Sequence, residues 1–218
     1  VADMTQSACF TEDVRTSGEV IFEVYGALTE SYGGGNEGIC SMTSKDKYGD
    51  GGASLDLVNL YSAGDVRGTL FLKEKDEKSG QQVYWTSKYV GKGLGKPDVA
   101  NVIVLRLSEM YLNRAEAAIK GALTQYDAVA DITVVASNRG AIASPATPSG
   151  VLLERQKELA WEAHYWFDLG RTKRDMTRND FVGDSSAKDL PWGNYKWAMP
   201  IPLRETGVNP NLIQNPGY

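Results

Sequence analysis

Leu105-Arg106-Leu107-Ser108-Glu109-Met110-Tyr111-Leu112-Asn113-Arg114-Ala115-Glu116-Ala117 is the stretch on which the fold turns. From Leu105 the apolar positions Leu105, Met110, Leu112, Ala115, Ala118 and Ile119 mostly keep helical spacing, and Gly121 stands where a helix would end. A second helix is expected over residues 124–138, with Tyr126, Val129, Ile132 and Val135 along it and Arg139-Gly140 closing it. Two antiparallel helices joined by a short turn are the unit of tetratricopeptide-like repeats, where alanines let the helices approach closely. Only one such pair is visible in the sequence. A lone repeat cannot bury its own face, so this pair must lean on something else.

Working outward, residues 143–150 form a loop rich in Pro, Ser and Thr, and a third helix is expected over residues 151–170. Leu152, Leu159, Ala163, Trp166 and Phe167 give that helix a broad apolar face. Residues 101–172 thus read as helices, after which the chain returns to loops. Met199-Pro200-Ile201-Pro202 and the stretch from Asn209-Pro210-Asn211 onward cannot be helix, since each proline removes a donor and restricts its predecessor. Residues 1–100 hold most of the 23 glycines. There Val20-Ile21-Phe22-Glu23-Val24-Tyr25 reads as a strand, and residues 31–53 as a glycine-punctuated loop. Thr69-Leu70-Phe71-Leu72 and Gln82-Val83-Tyr84-Trp85-Thr86 read as two short strands, with residues 73–80 turning between them. The expected fold is mainly α with irregular loops and a few short β-strands. A tetratricopeptide-like helical pair packs against a loop-rich region: residues 1–100 are loop- and strand-rich, and residues 101–218 are helical with a loop-rich tail.

With 42% hydrophobic and 10% aromatic residues, the 218-residue chain can fill a core. A net charge of −5 argues against nucleic acid, whose phosphates call for a clustered basic surface. No run of 18 apolar residues is present to span a bilayer as a helix. Val1-Ala2-Asp3-Met4 carries no basic region, apolar core or lipid-acceptor cysteine. The expectation is that a leader was removed or that the chain begins inside a longer protein. Cys9 and Cys40 could pair or remain thiols; spacing leaves both open.

Arg106, Glu109, Arg114 and Glu116 lie on the first expected helix, and Arg155, Glu158, Glu162, Asp168 and Arg171 on the third. Glu158 and Glu162, at i and i+4, could form a catalytic carboxylate pair if one had a raised pKa. The structural reading pairs them with Arg106, Arg114 or Arg155, which lowers a carboxylate pKa and locks helix to helix. That reading is preferred, and no catalytic residue is assigned. His164 is the only histidine, which excludes sites needing two; placed mid-helix among aromatics, it reads as a packed residue. Asp46-Lys47-Tyr48-Gly49-Asp50-Gly51 faintly suggests a calcium loop, but its twelfth position is Leu57, where a bidentate Glu is required. Gly33-Gly34-Gly35 has no following Gly-Lys-Ser/Thr to make a phosphate loop. No metal and no cofactor is expected.

Three stretches together resemble the SusD/RagB family. They are Leu105 through Ala117 with the later Asn138-Arg139-Gly140, then Glu154-Arg155-Gln156-Lys157-Glu158-Leu159-Ala160-Trp161-Glu162-Ala163-His164-Tyr165-Trp166-Phe167-Asp168-Leu169-Gly170-Arg171, and the ending Pro200-Ile201-Pro202 through Asn209-Pro210-Asn211-Leu212-Ile213-Gln214-Asn215-Pro216-Gly217-Tyr218. Ser17-Gly18-Glu19-Val20-Ile21-Phe22-Glu23 also resembles the family's entering strand. The resemblance is weak over residues 25–100. It implies a binding protein rather than an enzyme, lipid-anchored in its full-length form at the extracellular face of the outer membrane of Bacteroidetes-type bacteria. Such a protein captures oligosaccharides, or in some cases peptides, for a SusC-like TonB-dependent transporter. Family members are longer, so residues 1–218 are expected to be a C-terminal portion. The rival expectation is a peptide- or protein-binding helical-repeat adaptor.

A sugar site wants exposed aromatic platforms with amide or carboxylate partners, because sugars present flat C–H faces ringed by hydroxyls. Trp161, Trp166, Phe167 and Trp197 are expected in the core. The loop aromatics Tyr32, Tyr48, Tyr61, Tyr84, Trp85 and Trp192 are better placed, since binding residues gather on loops held by a scaffold. Tyr32, Tyr48 and Trp85 are the candidate platforms, with Asn36 and Asp50 as polar partners.

Overall fold

The computed structural model describes residues 18–27, 29, 38–43, 49, 51–75, 80, 82–89, 101–122, 124–180, 185 and 188–218. The chain divides into two compact units, Val1–Glu162 and Ala163–Tyr218. As expected, helices dominate and the strands are short and antiparallel.

In the first unit, β1 (Val20–Val24) pairs with β4 (Val102–Arg106), and β2 (Phe71–Lys75) pairs with β3 (Gln82–Thr86). β4 corrects the helical reading of residues 101–106. Val102-Ile103-Val104-Leu105 is a continuous run rich in β-branched residues, with no helical period of its own. Its ladder runs from Val20↔Arg106 to Val24↔Val102, and the Leu107 N–H donates to the Glu19 carbonyl at 2.7 Å. The strand expected at 69–72 begins at Phe71 instead. Residues Val66–Leu70 form a 3-10 turn whose first residues are held by the Asp65 side chain, which accepts from the Arg67 N–H. Short helices α1 (Ile39–Thr43) and α2 (Leu55–Val58) lie between these strands in sequence.

The helical pair is α3 (Leu107–Ile119) and α4 (Ala128–Ser137). Gly121, at φ +80, closes α3 as its position suggested: the Gly121 and Ala122 N–H groups donate back to Ala118 and Ala117. α4 starts later than expected, at the Asp127 cap, whose side chain accepts from Val129 N–H. What the pair leans on is α5 (Pro148–Glu158). Val151 of α5 joins Leu112 and Ala115 of α3 and Ile132 and Val135 of α4 in one fully buried cluster. α5 begins earlier than the apolar pattern suggested. Thr147 caps it by accepting from Gly150 N–H at 3.0 Å, and Pro148 takes a first-turn position where no N–H is missed. A second cluster joins Cys40 and Tyr89 with Val20, Ile103 and Trp161. Cys40 is buried; Cys9 lies outside the described residues.

The single helix expected over residues 151–170 is two helices, α5 and α6 (His164–Arg171). Trp161 at φ 70 and Ala163 at φ 61 interrupt it. His164 therefore opens a helix rather than sitting inside one. The second unit also holds an isolated bridge between Met176 and Leu190, a 3-10 turn at Tyr195–Trp197, and α7 (Leu203–Val208). α7 corrects the reading of an all-loop tail: it fits between Pro202 and Pro210, where no proline falls inside it. No described helix is long and apolar enough to cross a membrane.

Candidate functional site

The charged residues of the helices converge in the first unit on Glu158. β4 ends at Arg106, and the β1–β4 ladder brings Glu19 beside it. Arg106 Nη1 donates to Glu158 Oε1 at 2.8 Å, while its Nε and Nη2 grip Glu162 at 2.7 and 2.8 Å. It also reaches Ser108 Oγ at 2.8 Å and Glu19 Oε1 at 3.1 Å. Ser108 Oγ donates to that same Glu19 oxygen. Arg139, just beyond α4, donates to Glu158 Oε1 at 2.8 Å. Arg67 donates to Glu158 Oε2 at 3.0 Å, to Glu154 Oε1 at 2.8 Å and, through Nη2, to Asp65 at 2.8 Å. Lys88 pairs with Glu162, and Lys157 with Glu154 at 3.0 Å. Five acidic side chains (Glu19, Asp65, Glu154, Glu158, Glu162) thus meet five basic ones (Arg67, Lys88, Arg106, Arg139, Lys157), all of them buried.

Charge balance is what permits the burial. Several kcal/mol of desolvation per ion is offset only when each charge has partners and hydrogen bonds. Burial alone would raise the Glu158 pKa; the guanidiniums of Arg106 and Arg139 outweigh it and hold the carboxyl well below the usual carboxylate range. Glu162 is lowered likewise by Arg106 and Lys88, against its own burial, and Glu154 by Arg67 and Ser144. A general acid needs the opposite shift. Lys88 moves down while Arg106 moves up, although both hold Glu162. The two agree physically: burial disfavours the Lys88 ammonium and the adjacent Arg106 charge repels it, whereas Arg106 faces two carboxylates.

This cluster also explains where α5 stops. Tyr61 Oη donates to the Lys157 carbonyl at 2.9 Å and Arg106 Nη2 to the Glu158 carbonyl at 2.7 Å. Lys88 Nζ donates to the Ala160 carbonyl at 2.9 Å and Tyr89 Oη to the Trp161 carbonyl at 3.0 Å. The last carbonyls of a helix have no partner within it, and cations there also favour the helix dipole. A small cleft lies beside this end, lined in part by Tyr61, Arg67, Lys88 and Trp161.

Other residues expected in ion pairs lie elsewhere. Arg114 pairs with Asp131 of α4 at 2.6 Å, its guanidinium over the rings of Tyr111 and Tyr126 at 5.2 and 4.4 Å. Arg155 reaches Asn113 of α3 at 2.5 Å, and Glu109 is buried on α3. In the second unit Asp168 pairs with Arg171 at 2.7 Å along α6. The sequence reading named Arg106, Glu158 and Glu162 but missed Glu19, Asp65, Arg67 and Lys88. Those sit in the loop-rich half, where no periodicity marks them. Glu19, Glu154, Lys157 and Arg139 were within the family-like stretches, and that was the available signal.

Of the proposed ligand residues, Tyr32, Asn36, Tyr48 and Asp50 lie outside the described residues, as do Asp46 and Lys47 of the calcium-like loop. Trp85 does not offer a platform: it is 6% exposed on β3, with its indole N–H donated to the Gly49 carbonyl at 3.1 Å. Tyr61 is half-buried behind its bond to Lys157, and Tyr84 is half-buried, with the Lys73 ammonium 5.9 Å from its ring. Trp192 is exposed. Phe167, expected in the core, is 69% exposed. Trp197 stacks on Trp166 with centroids 4.3 Å apart. Among the described residues, no group of three or more His, Cys, Asp or Glu could hold a metal ion.

The SusD family model matches residues 74–218. No curated protein matches the sequence. Among solved structures, a SusD superfamily protein from Bacteroides vulgatus is 31% identical with a TM-score of 0.79, over 92% of this chain and 46% of its own. One from Bacteroides thetaiotaomicron is 26% identical with a TM-score of 0.81, over 99% and 52%. Surface glycan-binding protein A from the same organism shares the fold at 20% identity and a TM-score of 0.72, over 98% and 55%. The chain spans about half the length of the solved structures it matches. With the family's pattern running through the stretch that builds the buried charge cluster and on to Tyr218, this chain belongs to the SusD family.

Proposed function

We propose that this chain belongs to a cell-surface protein that binds oligosaccharides and passes them to a TonB-dependent outer-membrane transporter of the SusC type. Family membership over residues 74–218 carries the reading. The likeness to a structural neighbour called surface glycan-binding protein A supports it. Lipid anchoring at the extracellular face belongs to the same proposal, as does the absence of catalysis. The charge cluster fits a scaffold role: Glu154, Glu158 and Glu162 are held by cations that lower their pKa values and keep them ionised. The adaptor alternative is weakened because α5 fills the face that the α3–α4 pair would offer a peptide.

The test is a printed array of neutral plant, bacterial and host oligosaccharides probed with the full 218-residue chain. Saturable binding to a related set of glycans is expected. Binding to none of them, with a random peptide library giving saturable hits, would reverse the order of the two readings.

A further inference from the structure

The second unit carries an aromatic surface that the buried cluster does not account for. Residues 191–194 make a tight turn: the Asn194 N–H donates to the Pro191 carbonyl at 3.2 Å, and Gly193 supplies the φ of +85 that the turn requires. Trp192 therefore sits at the tip. Its backbone N–H donates to Asp175 Oδ1 at 2.7 Å, and Asp175 is exposed. From behind, Trp197 locks the turn by donating its indole N–H to the Pro191 carbonyl at 2.9 Å. Trp197 is itself stacked on Trp166, and the Trp192 ring meets it at 5.6 Å with a tilt of 56°. Three indoles thus form a layered brace. Trp192 is 43% exposed, and Tyr195, three residues on in the chain, is 44% exposed with its ring edge-on to Tyr218 at 5.1 Å.

A large aromatic left in water on a loop is ordinary when the loop can move. Here the loop is held by two side-chain hydrogen bonds and a ring stack, so the ring is pre-positioned and loses little freedom on binding. Indole and phenol faces pack against the C–H face of a pyranose, and the exposed Asp175 carboxylate, which accepts from the Trp192 backbone N–H, can also accept hydroxyl hydrogen bonds. We propose that Trp192 and Tyr195, with Asp175 as polar partner, form a pyranose-binding subsite in the C-terminal unit. The subsite rests on the oligosaccharide-binding reading above.

The experiment measures Trp192→Ala and Trp192→Phe in the full chain, by calorimetry, against the array oligosaccharide that binds the unaltered chain most tightly. The expected result is a loss of about tenfold in affinity for Trp192→Ala, most of it restored by Trp192→Phe, with the melting temperature unchanged. Should Trp192→Ala unfold, Tyr195→Ala gives the same reading without touching the turn. Affinity within twofold of the unaltered chain in these variants overturns the subsite and leaves the glycan reading standing. Failure of the unaltered chain to bind any array glycan overturns the glycan reading, and the subsite with it.

Discussion

Glu158 shows how one residue's role depends on partners that lie far along the chain. Its carboxylate touches Arg106, Arg139 and Arg67, which are 52, 19 and 91 residues away. Removing one member of a buried charge group leaves the others uncompensated, which typically costs about 3–5 kcal/mol. Glu158→Gln keeps the volume and loses the charge, so urea unfolding at pH 7 should show a stability loss of that order. A loss below about 1 kcal/mol would mean that the cluster relaxes around a neutral side chain. The same variant should bind the array glycan as tightly as the unaltered chain, because Glu158 is buried in the scaffold. That Glu158 and Glu162 would face an arginine was legible in the sequence from their spacing and the arginines nearby. That Arg67 would join them was not, since it comes from a segment with no helical or strand period to mark its inward face.

At the scale of elements, the informative error is the helix expected over residues 151–170. Its apolar pattern runs through the break, so local propensity gives no sign of an end. The end is imposed from outside: Tyr61, Lys88, Tyr89 and Arg106 take carbonyls from Lys157 to Trp161 that a continuing helix would need for itself. Tyr89→Phe removes one of these donors while keeping the ring in its cluster with Cys40 and Val20. It should cost about 1 kcal/mol, read from the shift in urea midpoint. No change would mean that water replaces the phenol at the Trp161 carbonyl. β4 is the opposite case. Its β-branched run was visible in the sequence, but the strong helical period beginning at Leu107 drew the reading back over it. A strand there also needs a partner, and β1 lies about 80 residues earlier in the chain.

For the molecule as a whole, the buried carboxylates set the response to acid. Glu154, Glu158 and Glu162 all have folded pKa values below their ordinary value. The stability they contribute is therefore fully present above the unfolded carboxyl pKa of about 4.3, and it is lost as pH falls from there towards the folded values. Thermal melts from pH 7 to pH 3 should fall steeply below about pH 5, and Glu158→Gln should flatten that fall. Equal slopes for the two proteins would remove Glu158 from the account. By itself the sequence determined the family, the helical pair, the β2–β3 hairpin and the need for a packing partner. Each is written in local periodicity or in a contiguous motif. Only the tertiary structure decided that α5 is that partner, that a ten-charge cluster ends it, that Trp85 is core, and that Trp192 stands out on a braced turn. Burial and pairing are properties of residues brought together from distant parts of the chain, and no local pattern records which of them will meet.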